Sequence, residues 1–293
     1  QVEIPLAHDL ADRTQKLLDF LHPRTTAQQI RDLTKEFDGN REKVALKISE
    51  IVMAESYLYG ERVKCPTCVG SGKIKKGYRE FDCDVCEGIG YTLDYNEGIN
   101  NSWKETLDLL EKEDLSKPQD ALASLCIYHG VCAGLAVLTE GILVAPLEGV
   151  VSARVIDNSD GTKAIAINYA GPIRSAGGTG QALSVLIADI LRRRFGYSKP
   201  VMEFEEIERY KEEVSKYRGL QYRPSNPQLE VIGHNCPIFI DGEGVGQEVT
   251  GSRDLLRVRD NRVREGALLV LCEGLVLKAP KIMKYVNELG LDG

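Results

Sequence analysis

The spacing of apolar residues divides the chain into a helical first part and a mixed second part. Before residue 60, apolar side chains recur at intervals of three and four, as at Ile30, Leu33 and Phe37, which is typical of amphipathic helices. The same period returns at 103–110 and 118–138. Small residues in the second of these stretches indicate close helix packing; they are Ala121, Ala123, Ala133, Gly134 and Ala136.

From residue 141 onward, short β segments alternate with helical patterns. The expected strands are 142–146, 150–156, 163–169, 229–232 and 238–240. Asn158 to Gly161 supplies hairpin-turn residues between two of these strands. The expected helices are 181–195, 201–217 and 266–289. Pro280 should kink or restart the last helix, because proline has no N–H to donate.

These patterns predict an α+β fold in four regions. The regions are a helical leader at 1–60, a cysteine-rich insert at 61–95, a helical segment at 96–140 and an α/β domain at 141–293. The chain starts at Gln1 rather than Met and stops directly after a long apolar helix pattern. We therefore expect it to be a fragment of a longer polypeptide.

Composition excludes several classes of protein. Of the 293 residues, 43% are hydrophobic and 28% are charged, which excludes collagen, coiled coils and disorder. The longest apolar runs, such as Ala267 to Cys272, are far shorter than the ~20 residues of a membrane span, and no secretory signal begins the chain. We expect a cytoplasmic protein with no membrane partner. Because the formal net charge is −7, nucleic acid would have to be held by a local basic surface.

The insert carries two copies of the motif C-x-x-C-x-G-x-G, which begin at Cys65 and Cys83. Two residues between thiolates allow one tight turn to direct both sulfurs at one point, and two such turns complete a tetrahedral zinc site. The predicted structural zinc ligands are Cys65, Cys68, Cys83 and Cys86, which would make the insert a zinc ribbon. A pair of disulfides and a redox C-x-x-C are the alternatives. The repeat also resembles the zinc domain of DnaJ-type chaperones, although no His-Pro-Asp signature is present.

The most specific string in the chain is Tyr169 to Ser184, which joins a predicted strand to a predicted helix. It lacks the Gly-Lys-Ser/Thr of a P-loop and the G-x-G-x-x-G of a dinucleotide site, so NTP hydrolysis is not indicated. Gly177 to Gly180 fits G-x-x-G, the loop with which KH domains clamp a nucleic-acid backbone between two helices. A glycine-lined turn needed only for tight helix packing is the alternative.

Local charge is compatible with nucleic-acid contact in this part of the chain. Residues 171–224 hold ten Lys and Arg against seven Asp and Glu. The candidate contact residues are Arg174, Gly177, Gly178, Gly180, Arg192, Arg193 and Arg194. A solvated helix face explains the three consecutive arginines equally well. A second basic cluster fits an ion-pair network as well as a DNA surface; it contains Arg253, Arg257, Arg259, Arg262 and Arg264.

Two further features of the sequence have ordinary structural explanations. The segment Asp241 to Gly246 could place two carboxylates near a metal, but a glycine-rich hairpin is the preferred interpretation. Four further cysteines lie in apolar surroundings and are expected to be small buried hydrophobic residues. They are Cys126, Cys132, Cys236 and Cys272.

Four strings, in this order, resemble the N-terminal region of the large subunit of archaeal family D DNA polymerases. They are 139–149, 169–179, 220–224 and 269–274. The resemblance implies a replicative DNA polymerase that works on primer–template DNA as a heterodimer with a small 3′→5′ exonuclease subunit. It also implies a sliding clamp bound through the rest of the chain, and magnesium held by catalytic aspartates in a double-psi β-barrel.

The catalytic motif of that family, similar to Asn-Ala-Asp-Phe-Asp-Gly-Asp, does not occur in residues 1–293. We therefore expect no catalytic residues here, and an architectural, DNA-proximal role. Two features depart from the resemblance: the cysteine insert is not common to all members, and Gly180 stands where a residue such as Ala is expected. The rival hypotheses are a self-contained KH-like RNA-binding module with a zinc ribbon, and a chaperone or redox module built on the cysteine repeats.

Overall fold

The computed structural model describes the larger part of the chain. The described residues are 11, 12, 14, 27–59, 62–64, 71, 73–76, 79–82, 91–93, 118–139, 148–249 and 255–290. Three helices of the first part are α1 (Ala27–Glu36), α2 (Arg41–Tyr59) and α3 (Pro118–Leu138). They confirm the helices expected from the apolar period there, while the helix expected at 103–110 lies outside the described residues.

Four short strands lie between α2 and α3. They are β1 (Arg62–Lys64), β2 (Lys73–Lys76), β3 (Arg79–Asp82) and β4 (Tyr91–Leu93). Strand β1 pairs antiparallel with β4, and β2 pairs antiparallel with β3. The region called an insert from its composition therefore contains two small antiparallel ribbons.

A three-stranded sheet forms the centre of the second part. Its strands are β5 (Val150–Asp157), β6 (Lys163–Tyr169) and β7 (Phe239–Gly242), in that spatial order. Strands β5 and β6 form the expected hairpin, in which Gly161 N donates to Asn158 O at 3.0 Å. Strand β7 joins β6 in parallel. Three of the expected strands are confirmed, and the one expected at 142–146 lies outside the described residues.

A 3₁₀ helix and three α-helices connect β6 to β7. The 3₁₀ helix is Gly171–Ala176, and the α-helices are α4 (Gly177–Arg194), α5 (Phe204–Lys216) and α6 (Asn226–Asn235). The strand expected at 229–232 is therefore wrong, because that stretch lies inside α6. Ser225 and Gln228 form a capping box, with proline in the first turn, and these helix-start signals outweigh the β propensity of the apolar residues that follow.

The described C-terminal part holds a small ribbon and one long helical run. Strand β8 (Gly244–Glu248) pairs antiparallel with β9 (Arg262–Arg264). The run consists of α7 (Glu265–Leu268), a π-helical segment at Leu269–Val276 and α8 (Leu277–Glu288). Pro280 lies inside α8, and the change from π to α geometry occurs at Val276. The carbonyl of Val276 accepts no hydrogen bond from residue 280, because proline has no N–H to donate.

One hydrophobic core joins the described helices of the first part to the sheet of the second. Ile48 of α2, Ile127 of α3, Ile167 of β6 and Ile187 of α4 are all buried in it. Helix α3 packs against α2, β5 and α4, as its small residues predict. A Cβ on Gly134 would lie 2.6 Å from Ile187 Cδ1, so glycine there allows α3 and α4 to approach closely. Among the described residues, no helix combines the length and apolar content needed to cross a membrane.

Candidate nucleic-acid interface

The glycine string runs from the end of β6 through the 3₁₀ helix into α4. Gly177 has φ = +67°, a conformation that favours glycine, and its N–H donates to the carbonyl of Arg174. Gly177 to Gly180 form the first turn of α4 and do not form a loop between two helices. The described geometry therefore does not confirm the expected KH-like helix–loop–helix arrangement.

The N-terminus of α4 is suited to an anion. Ala176 provides no side-chain cap, and no acidic residue lies in the first turn. Backbone N–H groups and the positive end of the helix dipole meet at such an end, and both favour negative charge.

Two lysines of α8 lie against this turn. Lys281 Nζ donates to Thr179 Oγ1 at 3.3 Å. A Cβ on Gly178 would lie 2.9 Å from Lys278 Cε and 2.5 Å from the carbonyl oxygen of Glu273. Glycine at 178 thus permits α8 and the π-helical segment to approach α4, which brings two positive charges to the uncapped helix end.

Arg174 lies in the 3₁₀ helix directly before this turn, with its side chain 38% exposed. Its guanidinium donates to Tyr217 Oη at 3.2 Å and to the carbonyl of Gly219 at 3.0 Å. The carboxylates of Glu265 and Glu273 lie 3.6 and 3.7 Å away. Burial lowers the pKa of Arg174. The hydrogen bond to Tyr217 and the two carboxylates raise it by a larger amount, so the pKa lies above its ordinary value. Its charge is largely compensated inside the fold.

The contacts of Arg174 tie three separate segments together. Tyr217 Oη donates to Glu265, and burial together with this hydrogen bond raises the pKa of Tyr217 to about 12. Glu273, in the π-helical segment, accepts a hydrogen bond from the backbone N–H of Gln221 at 2.8 Å. The strings at 169–179, 220–224 and 269–274 are therefore in direct contact.

The three consecutive arginines lie at the opposite end of α4. A helix of 18 residues is about 27 Å long, so these arginines and the glycine turn do not form one site. Arg192 is buried, with its Nη2 2.5 Å from Asp189 Oδ1, and Arg193 lies 2.7 Å from the other oxygen of that carboxylate. Arg194 is more exposed and pairs with Glu50 at 2.6 Å.

The second basic cluster forms ion pairs, as one of the two interpretations predicts. Arg257 pairs with Glu206, Arg262 pairs with Asp260 at 2.7 Å, and Arg264 pairs with two buried carboxylates. Arg259 donates to Ser152 Oγ at 3.1 Å, and Arg253 lies outside the described residues.

Asp241 belongs to a buried network and not to a metal site or a hairpin. Its two carboxylate oxygens accept from Arg154 at 2.5 Å and from Arg264 at 3.0 Å. Asp241 lies in β7, and β8 begins two residues after β7 ends; these strands pair with β6 and β9 respectively and not with each other, so the expected hairpin is wrong. Within the described part of the chain, no group of three or more His, Cys, Asp or Glu side chains could hold a metal ion.

The predicted zinc ligands Cys65, Cys68, Cys83 and Cys86 lie outside the described residues. Strand β1 ends one residue before Cys65, and β3 ends one residue before Cys83. The zinc site stays a prediction.

Sequence reasoning missed Lys278 and Lys281. They are three residues apart in a stretch that was recognised as a helix, so a shared face was foreseeable. The sequence does not predict that they lie beside Thr179, which is 102 residues before Lys281, because this depends on how α8 packs on α4.

A family model described as "DNA polymerase II large subunit DP2, N-terminal" matches residues 1–65 and 108–293. The matched residues include the glycine turn, Arg174 and both lysines. The unmatched interval contains Cys68, Cys83 and Cys86, so most of the cysteine motif lies outside the family match.

Two of three curated relatives match the chain almost from end to end, and the third matches 57% of it. A DNA polymerase II large subunit from Thermoplasma volcanium is 39% identical over 296 residues, which is 100% of this chain and 21% of that protein. The one from Thermoplasma acidophilum is 38% identical and covers 99% of this chain and 21% of its own length. The one from Methanocella arvoryzae is 48% identical over 171 residues, or 57% of this chain and 15% of its own length. The chain spans about a fifth of the length of the relatives that match it throughout.

Proposed function

Since this chain belongs to the family of DNA polymerase II large subunits, in their N-terminal region, we propose that it is the architectural, DNA-proximal N-terminal domain of a replicative DNA-directed DNA polymerase. The observation that carries this proposal is the family match over residues 1–65 and 108–293. The rival RNA-binding module has no support from the relatives, which are named as DNA polymerase subunits.

The chemistry of nucleotidyl transfer is assigned to the remainder of the large subunit. No Asp-Phe-Asp-Gly-Asp string occurs in residues 1–293, so the catalytic aspartates and their magnesium would be held elsewhere. The 3′→5′ exonuclease would belong to a small partner subunit, and a sliding clamp would bind through the rest of the chain. The role left for this domain is to support the assembly and to contact DNA.

The DNA contact is proposed at the first turn of α4. Support comes from the uncapped helix end, from Lys281 Nζ at 3.3 Å from Thr179 Oγ1, and from Lys278 beside Gly178. Backbone amides and lysines together bind phosphate without reading sequence, as a polymerase that copies any template requires. Arg174, Gly177, Gly178 and Gly180 would shape and position this turn.

Arg194 is proposed as a second phosphate contact at the far end of α4, because its side chain is 63% exposed. Arg193, at 42%, is a weaker candidate beside it. The side chain of Arg192 is only 5% exposed and its pairing with Asp189 gives it a structural role. A backbone that followed α4 from end to end would span about 27 Å, or roughly eight base steps of B-form DNA.

The test is the salt dependence of binding to primer–template DNA by the full-length large subunit. Replacing Lys278 and Lys281 by Gln should make the plot of log affinity against log salt less steep by about 1 for each lysine, because each phosphate contact releases a counterion. The control is Lys35→Gln in α1, which removes one positive charge from an exposed position on another helix and should leave the slope unchanged. An unchanged slope in the double variant would refute the contact.

A further inference from the structure

Three apolar side chains are exposed just before α5, at its first residue and in the turn before β9. Leu256 is fully exposed, Phe204 is 70% exposed and Val201 is 39% exposed. We call these three residues the apolar patch. Arg257 links the segments that carry them: it follows Leu256 in the chain, donates to the carbonyl of Val201 at 2.5 Å and binds Glu206, two residues after Phe204.

The turn that carries Leu256 is held firmly at its base. Val258 N donates to Leu255 O at 3.0 Å, which closes the turn. Arg257 Nε donates to Glu206 Oε1 at 2.7 Å, and its Nη1 donates to Asn158 Oδ1 at 3.0 Å. The same guanidinium lies 5.2 Å from the centre of the buried Phe239 ring. The backbone is therefore fixed with leucine at the tip, a position where turns ordinarily carry Gly, Pro, Asn, Asp or Ser.

The surroundings of the patch indicate the charge of what covers it. Glu203 and Glu205, on either side of Phe204, are both exposed. Glu203 N is held by Glu206 Oε2 at 3.0 Å, and Glu203 takes part in the capping box of α5. An apolar surface with fixed acidic neighbours fits an apolar segment flanked by Lys or Arg.

The relatives that match the whole chain carry about four fifths of their length outside the matched region. A large amount of protein in the same polypeptide is thus available to cover an apolar surface. A contact inside one polypeptide needs less area than one between free partners, because the two sides are already at high effective concentration.

We propose that the apolar patch is an interdomain docking surface, which a basic and apolar segment of the remaining large subunit covers in the full-length polypeptide. This inference rests on the proposed function only in placing the chain inside a large subunit. It does not require the lysines at α4 to bind DNA.

The test uses the full-length large subunit without DNA. Leu256→Cys is treated with a maleimide, and labelling of its peptide is followed by mass spectrometry, so that the other cysteines do not interfere. We expect labelling in the native protein to be slower than in denaturant by about tenfold or more, because the site would open only by local unfolding. Val231→Cys on α6 is the matched control, because Val231 is 62% exposed in this region.

A second measurement identifies the occupant. A benzophenone-bearing amino acid incorporated during synthesis in place of Leu256 should form a crosslink within one polypeptide, to a Lys- or Arg-containing peptide outside this 293-residue region. Native labelling as fast as in denaturant would overturn the proposal. So would protection that is lost on dilution, protection that requires the small subunit, or a crosslink to residues 1–26 or 94–117. Loss of DNA binding in the lysine variants would leave these results unchanged, so the two proposals fail separately.

Discussion

At the scale of single residues, the described part of this protein holds a connected set of buried charges. Arg264 contacts Glu213 at 2.9 Å and Asp241 at 3.0 Å, and Arg209 also contacts Glu213 at 2.7 Å. Burial lowers the pKa of Arg264, but the two carboxylates raise it more strongly, so the net direction is upward. The network joins β9, α5 and β7 and therefore holds the sheet against the helical layer.

Removing Arg264 should be costly because each of two buried carboxylates, Glu213 and Asp241, loses one of its two arginine partners. We expect Arg264→Gln to lower the free energy of unfolding by about 3–5 kcal/mol, measured by urea denaturation. Arg262→Gln is the matched control: its pair with Asp260 lies at the surface, with the arginine side chain 50% exposed, so its loss should lower the free energy of unfolding far less than Arg264→Gln does. An equal decrease in the free energy of unfolding in both variants would contradict the expectation that the buried pairs of Arg264 stabilise the fold more than the surface pair of Arg262 does.

The four described cysteines provide a test that depends on pH. Burial raises the pKa of Cys126, Cys132, Cys236 and Cys272 to about 12 from an ordinary 9.0. The thiolate is the reactive form, so these thiols should resist alkylation at pH 8 in the native protein and react in denaturant. Peptide mass spectrometry would detect this, and rapid native alkylation of any of the four would contradict their burial.

The same shift predicts how stability changes in alkali. Between pH 9.0 and about 12 the unfolded chain has lost protons from these thiols while the folded chain keeps them. Fewer protons on the unfolded state mean that the free energy of unfolding decreases as pH rises through this range. The contribution is fully present below pH 9.

Among the helices and strands, the apolar pattern predicts α3, and the small residues in α3 predict its close packing. Its 21 residues contain the expected small side chains, and Gly134 lies between α2 and α4. The π-helical segment at Leu269–Val276 was not foreseen, since its apolar residues fit any buried helix. The apolar residues at 229–232 predict a strand, but the capping signals at Ser225 and Gln228 begin α6 there instead.

The packing of α3 is tested by enlarging Gly134. A Cβ there would lie 2.3 Å from Ser49 Oγ and 2.6 Å from Ile187 Cδ1, so Gly134→Val should destabilise the fold by about 1–3 kcal/mol. Thermal and urea unfolding would both report this loss. Ala279→Val in α8 serves as control, because Ala279 is exposed and the added methyl groups meet solvent. A neutral Gly134→Val variant would mean that the helices can separate freely.

At the scale of the whole molecule, the helical first part and the sheet share one hydrophobic core, whereas most of the cysteine motif lies outside the family match. If zinc holds that insert together, elemental analysis should find one zinc per chain. Cys83→Ser should remove the metal and leave the unfolding of the shared core nearly unchanged. Absence of zinc from the protein would favour the disulfide or redox alternatives. Unfolding of the shared core when zinc is chelated would contradict the expectation that the insert is stabilised separately from the core.

Features that depend on neighbours along the chain can be predicted from the amino-acid sequence: the amphipathic helices, the hairpin at Asn158 to Gly161, the cysteine repeat and the strings that carry the family resemblance. Which candidate side chains meet depends on the packing of the folded chain. It brought Lys281 to Thr179, buried Arg192 against Asp189, and paired Asp241 with Arg154 and Arg264. The physical reason is that periodicity records which face of an element is buried, whereas contacts between distant segments depend on how those faces pack together.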